Sequence, residues 1–170
     1  MGLPDQGRIF ITFGALRGYK GVDTFLDEFR AAANSNDTLL VAGRVLDPSL
    51  GDRLAELTRV DPRIRLFEGF LSDSQLACLI SAADWVILPY REVLNSGSLL
   101  LSLTLRRPAI VPDTPTFREI QSHVGANWVV CSERPLTPQL LTDLGDPPQG
   151  APTLSWCSWA RITALLAALW

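Results

Sequence analysis

Apolar positions along the chain come in two alternating rhythms. Short unbroken runs bounded by Gly, Pro or Asp read as strands buried on both faces. They are Arg8–Gly14 (RIFITFG), Thr38–Gly43 (TLLVAG), Arg63–Gly69 (RIRLFEG), Trp85–Tyr90 (WVILPY), Pro108–Asp113 (PAIVPD) and Asn127–Glu133 (NWVVCSE). Between them apolar residues recur at steps of three and four, as on one side of a helix. Val22, Phe25, Leu26 and Phe29 share such a face, as do Leu50, Leu54 and Leu57, and again Leu76, Leu79, Ile80 and Ala83. Ser72 with Gln75 three residues on spells a capping box, and Thr137 before Pro138 marks a helix start with proline in its first turn.

Strand and helix alternating through most of a chain predict a parallel sheet wound by right-handed crossovers, with helices on both faces. The expected fold is therefore a Rossmann-like three-layer α/β domain with about six strands, running over residues 8–170 behind a short linker at residues 1–7. In open parallel sheets ligands bind beyond the carboxyl ends of the strands, where the strand order reverses. The segments that reach that rim are GALRGYKG, GRVLD, GFLSD, REVLNSGS and DTPTFRE. In the first, a glycine-rich turn sets Arg17 and Lys20 before a helix, an arrangement suited to a phosphate or diphosphate. Charge alone leaves open that both are solvated loop cations. In the fourth, Asn95, Ser96, Gly97 and Ser98 open an apolar helix and can bring backbone N–H groups and hydroxyls to an anion at its positive end. An ordinary N-cap uses the same residue types. Neither G-x-G-x-x-G nor a Walker loop is present, so a nicotinamide or P-loop reading has no support.

Composition narrows the partners. The 170 residues are 47% apolar with a formal net charge of -3, enough for one core and without a global attraction to nucleic acid. Cys78, Cys131 and Cys157, odd in number and scattered, argue against a disulfide framework or structural zinc and read as core filler in a reducing, cytoplasmic setting. No apolar run reaches the roughly 20 residues of a membrane span. His123 is the only histidine, without cysteine or a second histidine near it, so it reads as a surface or capping residue; a metal site and a Ser-His-Asp hydrolase are both disfavoured. Asp146–Pro152 (DPPQGAP) reads as a loop delivering a final helix.

Five segments in order, FGALRGYKGVDTFLDEF, LLVAGR, RIRLFEGFLSDSQLACLISAADWVILPY, SGSLLLSLTLRRPAIVPD and SWCSWARITALLAAL, resemble the C-terminal, nucleotide-sugar-binding half of GT-B glycosyltransferases of the retaining group 1 type. The resemblance extends from Arg8 to Leu169. It implies that Arg17 and Lys20 contact the donor diphosphate, with Gly14 allowing close approach of the backbone. It also implies that Gly69, Phe70, Leu71 and Leu76 hold the base, and that Ser96, Gly97 and Ser98 meet the diphosphate through backbone N–H groups. Transfer to an acceptor hydroxyl would proceed with retention and without a metal or other cofactor, Arg17, Lys20 and the serine turn neutralising charge on the leaving diphosphate.

Two departures qualify this. Aligning LTLRRP with the family's usual MASGKP puts Leu101 where a ribose-binding glutamate is expected and Val93 where the first glutamate of the pair falls, leaving its neighbour Glu92 as the sugar-side carboxylate or a solvated loop acid. The chain also resembles only the donor half, so the expected partners are a nucleotide sugar and an N-terminal acceptor domain, through which alone the whole protein would touch a membrane. The last segment, with Trp156, Trp159, Ile162, Leu166, Leu169 and Trp170, is expected to be a helix that packs on that domain or, without it, mediates a homodimer; a plain amphipathic core helix is the alternative. The rival readings of function are a non-catalytic nucleotide-binding or regulatory module, and another GT-B-like enzyme such as a nucleotide-sugar epimerase or phosphorylase.

Overall fold

The six apolar runs form one parallel sheet in the computed structural model, which describes residues 6–17, 21–90, 97–133 and 136–155. The strands are β1 (Ile9–Phe13), β2 (Thr38–Gly43), β3 (Ile64–Glu68), β4 (Trp85–Ile87), β5 (Ala109–Pro112) and β6 (Val129–Ser132). They lie in the order β3-β2-β1-β4-β5-β6, every neighbouring pair parallel. The order reverses between β1 and β4, which fixes the switch point of the sheet there.

Five helices connect them, α1 (Val22–Ala32), α2 (Pro48–Val60), α3 (Asp73–Ala82), α4 (Gly97–Thr104) and α5 (Pro115–Val124), and among the described residues α6 (Pro138–Asp143) follows β6. Alternation along the strands sorts the core into two layers. Phe10, Leu39, Val41, Ile64, Trp85, Ile87 and Ile110 pack with α1, α2 and Leu141 of α6. Ile11, Phe13, Leu40, Ala42, Val86, Ala109, Val111 and Val129 pack with α3, α4 and α5. In the first layer the rings of Phe10 and Phe29 meet edge to face, their centroids 5.8 Å apart.

The helices begin where cap chemistry places them. The Ser72 hydroxyl accepts from the Gln75 amide at 3.3 Å while the Gln75 side chain accepts from the Ser72 amide at 2.9 Å, closing the expected capping box of α3. Thr137 caps α6 through the Leu140 amide at 3.1 Å, with Pro138 in the first turn. Asp47 and Thr114 cap α2 and α5 in the same way, each followed by proline.

Three expectations are refined. The run Trp85–Tyr90 stays buried throughout, but only Trp85–Ile87 form the strand. Leu88 still donates to the Ile110 carbonyl at 3.0 Å; Pro89 then offers no N–H, and the Tyr90 amide turns back to the Leu88 carbonyl at 2.8 Å. At the end of the fourth rim segment, Gly97 and Ser98 are themselves helical, within α4. Cys78 is exposed and is therefore not core filler, because α3 turns it outward between the buried Leu79 and Ile80 and the solvent; Cys131 is half-buried against the second layer. Cys157 and the expected final helix lie outside the described residues. His123 is exposed near the end of α5, as expected, and residues 146–152 form a loop.

Candidate nucleotide-sugar site at the carboxyl rim

Each of the first three strands ends in a glycine with positive φ: Gly14 at 112°, Gly43 at 137° and Gly69 at 120°. At Gly43 the demand is steric as well as conformational. A Cβ on Gly43 would stand 1.9 Å from the Gly14 carbonyl oxygen, so only glycine lets β1 and β2 pass this closely. The turns are tied together, Gly14 donating to the Ala42 carbonyl at 2.9 Å and Gly69 to the Gly43 carbonyl at 3.1 Å.

Beyond these turns the first two strands pair again. Leu16 donates to the Arg44 carbonyl at 2.9 Å, and Leu46 donates to the Leu16 carbonyl at 3.1 Å. Leu16 is buried to 1% and anchors this short ribbon in the first core layer, so the exposed Arg17 that follows it is held at the rim by a fixed backbone. On the neighbouring strand, Gly69 leads into Phe70, whose ring is 94% exposed. Leu71 and Leu76 beside it are half-buried against the second core layer. An aromatic ring left this open is a surface on which a flat ring can stack.

On the other side of the switch point, Gly97 is exposed at the start of α4 and nothing lies within 4 Å of where its side chain would be. Ser98 follows in the first helical turn, its carbonyl accepting from the Ser102 hydroxyl at 2.7 Å. Leu101, one turn on, is 36% exposed, an apolar side chain in the position where the resemblance expects a carboxylate. The sheet thus brings Gly14, Arg17, Gly69, Phe70, Leu71, Leu76, Gly97 and Ser98 to one rim. Lys20, Glu92, Asn95 and Ser96 lie outside the described residues.

Sequence reasoning passed over Arg44. GRVLD reaches the rim, but a lone arginine in a loop carries no signal until the Leu16 amide bonds the Arg44 carbonyl and so holds Arg44 on the strand next to the one that carries Arg17. Among the described residues no group of three or more His, Cys, Asp and Glu side chains is placed to hold a metal ion. None of their helices is long and apolar enough to cross a membrane. The shifted titrations lie away from the base platform. Hydrogen bonds from Arg63 hold the Asp61 carboxyl below the usual carboxylate range, and burial pushes the Cys131 thiol up.

Comparison with known proteins gives the family and the fold. The family model of the glycosyl transferases group 1 matches residues 7–142. Two curated relatives from Xanthomonas campestris pv. campestris, each named GDP-mannose:glycolipid 4-beta-D-mannosyltransferase, are 34% identical over 164 residues. That span is 94% of this chain and 47% of each relative, so the chain covers about half the length of these proteins. Among solved structures, WaaG, a glycosyltransferase involved in lipopolysaccharide biosynthesis, superposes with a TM-score of 0.63 at 23% identity, over 84% of this chain and 38% of its own. The catalytic domain of starch synthase IV from Arabidopsis thaliana, bound to ADP and acarbose, gives 0.71 at 12% identity, over 96% and 38%. The C-terminal domain of a group 1 family glycosyl transferase (LpcC) from Francisella tularensis gives 0.58 at 21%, over 83% and 74%. These structures share the fold; the family follows from the match across residues 7–142, and the chain belongs to the glycosyl transferases of group 1.

Proposed function

We propose that this chain is the donor-binding half of a transferase that moves a sugar, mannose by analogy with the Xanthomonas relatives, from a nucleoside diphosphate to the hydroxyl of a glycolipid. The observation that carries the reading is the pairing, on one rim, of the exposed Phe70 ring with the cation Arg17 beyond the glycine turns. A base stacks on the first, and a diphosphate meets the second. Arg17, together with Lys20 and the backbone of Ser96, Gly97 and Ser98 on the strength of the resemblance, would stabilise charge on the leaving diphosphate. Asn95 belongs to the same turn and Glu92 is offered as the sugar-side carboxylate. The proposal calls for no metal. The acceptor, and contact with a membrane surface, are assigned to the part of the relatives' length that this chain does not span.

The bond that breaks joins the anomeric carbon to the diphosphate, and the bond that forms joins that carbon to the acceptor oxygen, whose proton is lost. The relatives' name specifies a β-mannosyl product, and a β product from the α-linked sugar of GDP-mannose is inversion. On this reading the outcome is inversion rather than the retention that the resemblance implies. Leu101 favours a second reading, a nucleotide-binding module without turnover, because an apolar side chain there cannot hold ribose hydroxyls as a carboxylate would.

Calorimetric titration of the chain with GDP, UDP and ADP tests the site. Binding of GDP is expected, weakened about 10- to 100-fold by Arg17→Ala, which removes a charge-assisted hydrogen bond. No binding of any nucleoside diphosphate overturns the proposal. With the full-length protein, glycolipid acceptor and GDP-mannose, the anomeric configuration of the product read by NMR separates inversion from retention, and absence of any product favours the module.

A further inference from the structure

Arg44 stands where the two halves of a nucleotide would join. Even-numbered residues of β1 face the first core layer, as Phe10 does, and the alternation carries on past the turn to Leu16; odd-numbered Ile11 and Phe13 face the second. In β2 the first layer takes Leu39 and Val41 and, past the turn, Val45, while Leu40 and Ala42 face the second. Leu16 and Val45 are bridged in parallel, so the residues flanking them point the other way. Those residues are Ala15, Arg17, Arg44 and Leu46; Ala15 is half-buried and the other three are exposed. They therefore emerge on the side of the sheet that carries α3, where Leu71 and Leu76 pack and Phe70 stands open.

The lateral order is equally constrained. β2 lies between β1 and β3, and the Leu16–Val45 bridge sets Arg44 across from Ala15 and Arg17 across from Leu46, so Arg44 comes laterally between the Arg17 and Phe70 positions, with Arg17 two residues farther along the rim. The Gly69 amide bonded to the Gly43 carbonyl fixes the approach of the Phe70 turn to Arg44. No hydrogen bond or ion pair engages the Arg44 guanidinium among the described residues, whereas Arg8, Arg30, Arg53, Arg59, Arg63 and Arg118 each contact a carboxylate.

We propose that Arg44 is a donor-binding residue that takes the phosphate nearest the nucleoside, while Arg17 takes the distal one. The inference rests on the donor-site reading given above and adds to it a second cation with a position of its own. A planar guanidinium presents paired N–H groups that match phosphate oxygens, and at this place on the rim it reaches a ligand whose base lies on Phe70 before the chain of phosphates arrives at Arg17.

Guanosine, GMP and GDP, titrated into the chain and its variants, separate the two cations. Arg44→Ala is expected to weaken GMP and GDP by a similar factor, about 10- to 100-fold, and to leave guanosine unchanged. Arg17→Ala should weaken GDP more than GMP. Arg44→Lys, which keeps the charge but not the paired geometry, should fall between the wild type and Arg44→Ala. Thermal melts of each variant verify folding, which the exposed Arg44 side chain does not support. If Arg44→Ala binds GMP and GDP as the wild type does, or loses guanosine equally, the assignment is overturned while the donor site stands. If the wild-type chain binds none of the three, the donor-site reading fails first and Arg44 with it.

Discussion

The two rims of the sheet differ in how they use arginine: the amino rim ties Arg8 and Arg63 into the fold, whereas the carboxyl rim, though it pairs Arg118 with Asp113, leaves Arg44 without a partner among the described residues. At the amino rim, charge is consumed within the protein. Arg8 at the start of β1 forks onto Asp37 before β2, with bonds of 3.0 and 3.3 Å, and also donates to the Leu141 carbonyl of α6. Asp84 before β4 accepts from the Ile9 amide at 2.7 Å. Arg63 before β3 grips Asp61 at 2.7 and 3.0 Å and caps the end of α1 by donating to the carbonyls of Ala33 and Asn34. At the carboxyl rim the chain turns on glycines, leaves Phe70 open to solvent and gives Arg44 no partner among the described residues. The same kinds of side chain that lock one rim are held ready for a ligand at the other. An ion pair satisfied within the fold stabilises it, whereas a cation fixed by its backbone but without a partner is available to an outside anion.

Removing the largest amino-rim tie should damage the fold and spare the chemistry. Arg63→Ala leaves the nearly buried Asp61 with the backbone amide of residue 63 at 3.1 Å and the longer contact to Arg30 at 3.4 Å, and removes the side-chain donor to the Ala33 carbonyl. A loss of roughly 2–3 kcal/mol in unfolding free energy is expected, with GDP affinity of the folded fraction unchanged. The effect depends on pH with a definite sign. Because the folded state holds Asp61 below the ordinary carboxylate range, its stabilisation is complete above the unfolded value near pH ~4 and is lost as pH falls through the lower folded value. Wild type and variant should therefore differ most at neutral pH and converge in acid, as denaturant titrations at pH 7 and pH 3 will report.

The reverse experiment breaks the carboxyl rim. Phe70→Ala removes a ring that is 94% exposed, so the melting temperature should stay within the small range of surface substitutions. Nucleotide affinity should fall by about 1–3 kcal/mol, the contribution of one base–aromatic stack, measured by calorimetry with GDP. A change in stability together with unchanged affinity would reverse the contrast between the rims.

A smaller effect sharpens it. The chain leaves α4 toward the amino rim through a Schellman motif, Arg107 donating to the Ser102 carbonyl at 2.9 Å and Arg106 to the Leu103 carbonyl at 3.0 Å. Arg106 occupies the left-handed position at φ 56°, where glycine is the usual choice and where the aligned family pattern carries one. Arg106→Gly should stabilise the chain by about 1 kcal/mol and leave nucleotide binding untouched. Thermal melts and a GDP titration check the two halves of that statement.

Much of this architecture was legible in the amino-acid order. Six β-branched and aromatic runs, five of them closed by glycine, proline or aspartate, hold the six strands, and the three- and four-step spacings of Phe25 and Phe29, or of Leu50 and Leu54, are the buried helix faces. The capping box at Ser72 and the proline start at Pro138 were readable because a cap involves only residues three apart. The rule that ligands gather where strand order reverses points to the GALRGYKG and GFLSD turns from the amino-acid order alone.

Tertiary structure decided what depends on neighbours distant in the chain. That Phe70 is bare while Leu71 beside it is half-buried follows from how the β3 turn meets α3, and apolar character alone cannot separate the two. That Gly43 cannot carry a side chain is a property of Gly14, almost thirty residues earlier, whose carbonyl occupies the space. Arg44 gains its meaning only when residues 14–17 and 44–46 pair beyond their strands. Local spacing sets which backbone conformations each segment prefers, so the sequence by itself determined the elements and the rim. Which side chains at that rim find partners, and which stay open for a ligand, is settled by contacts that exist only once the sheet has formed.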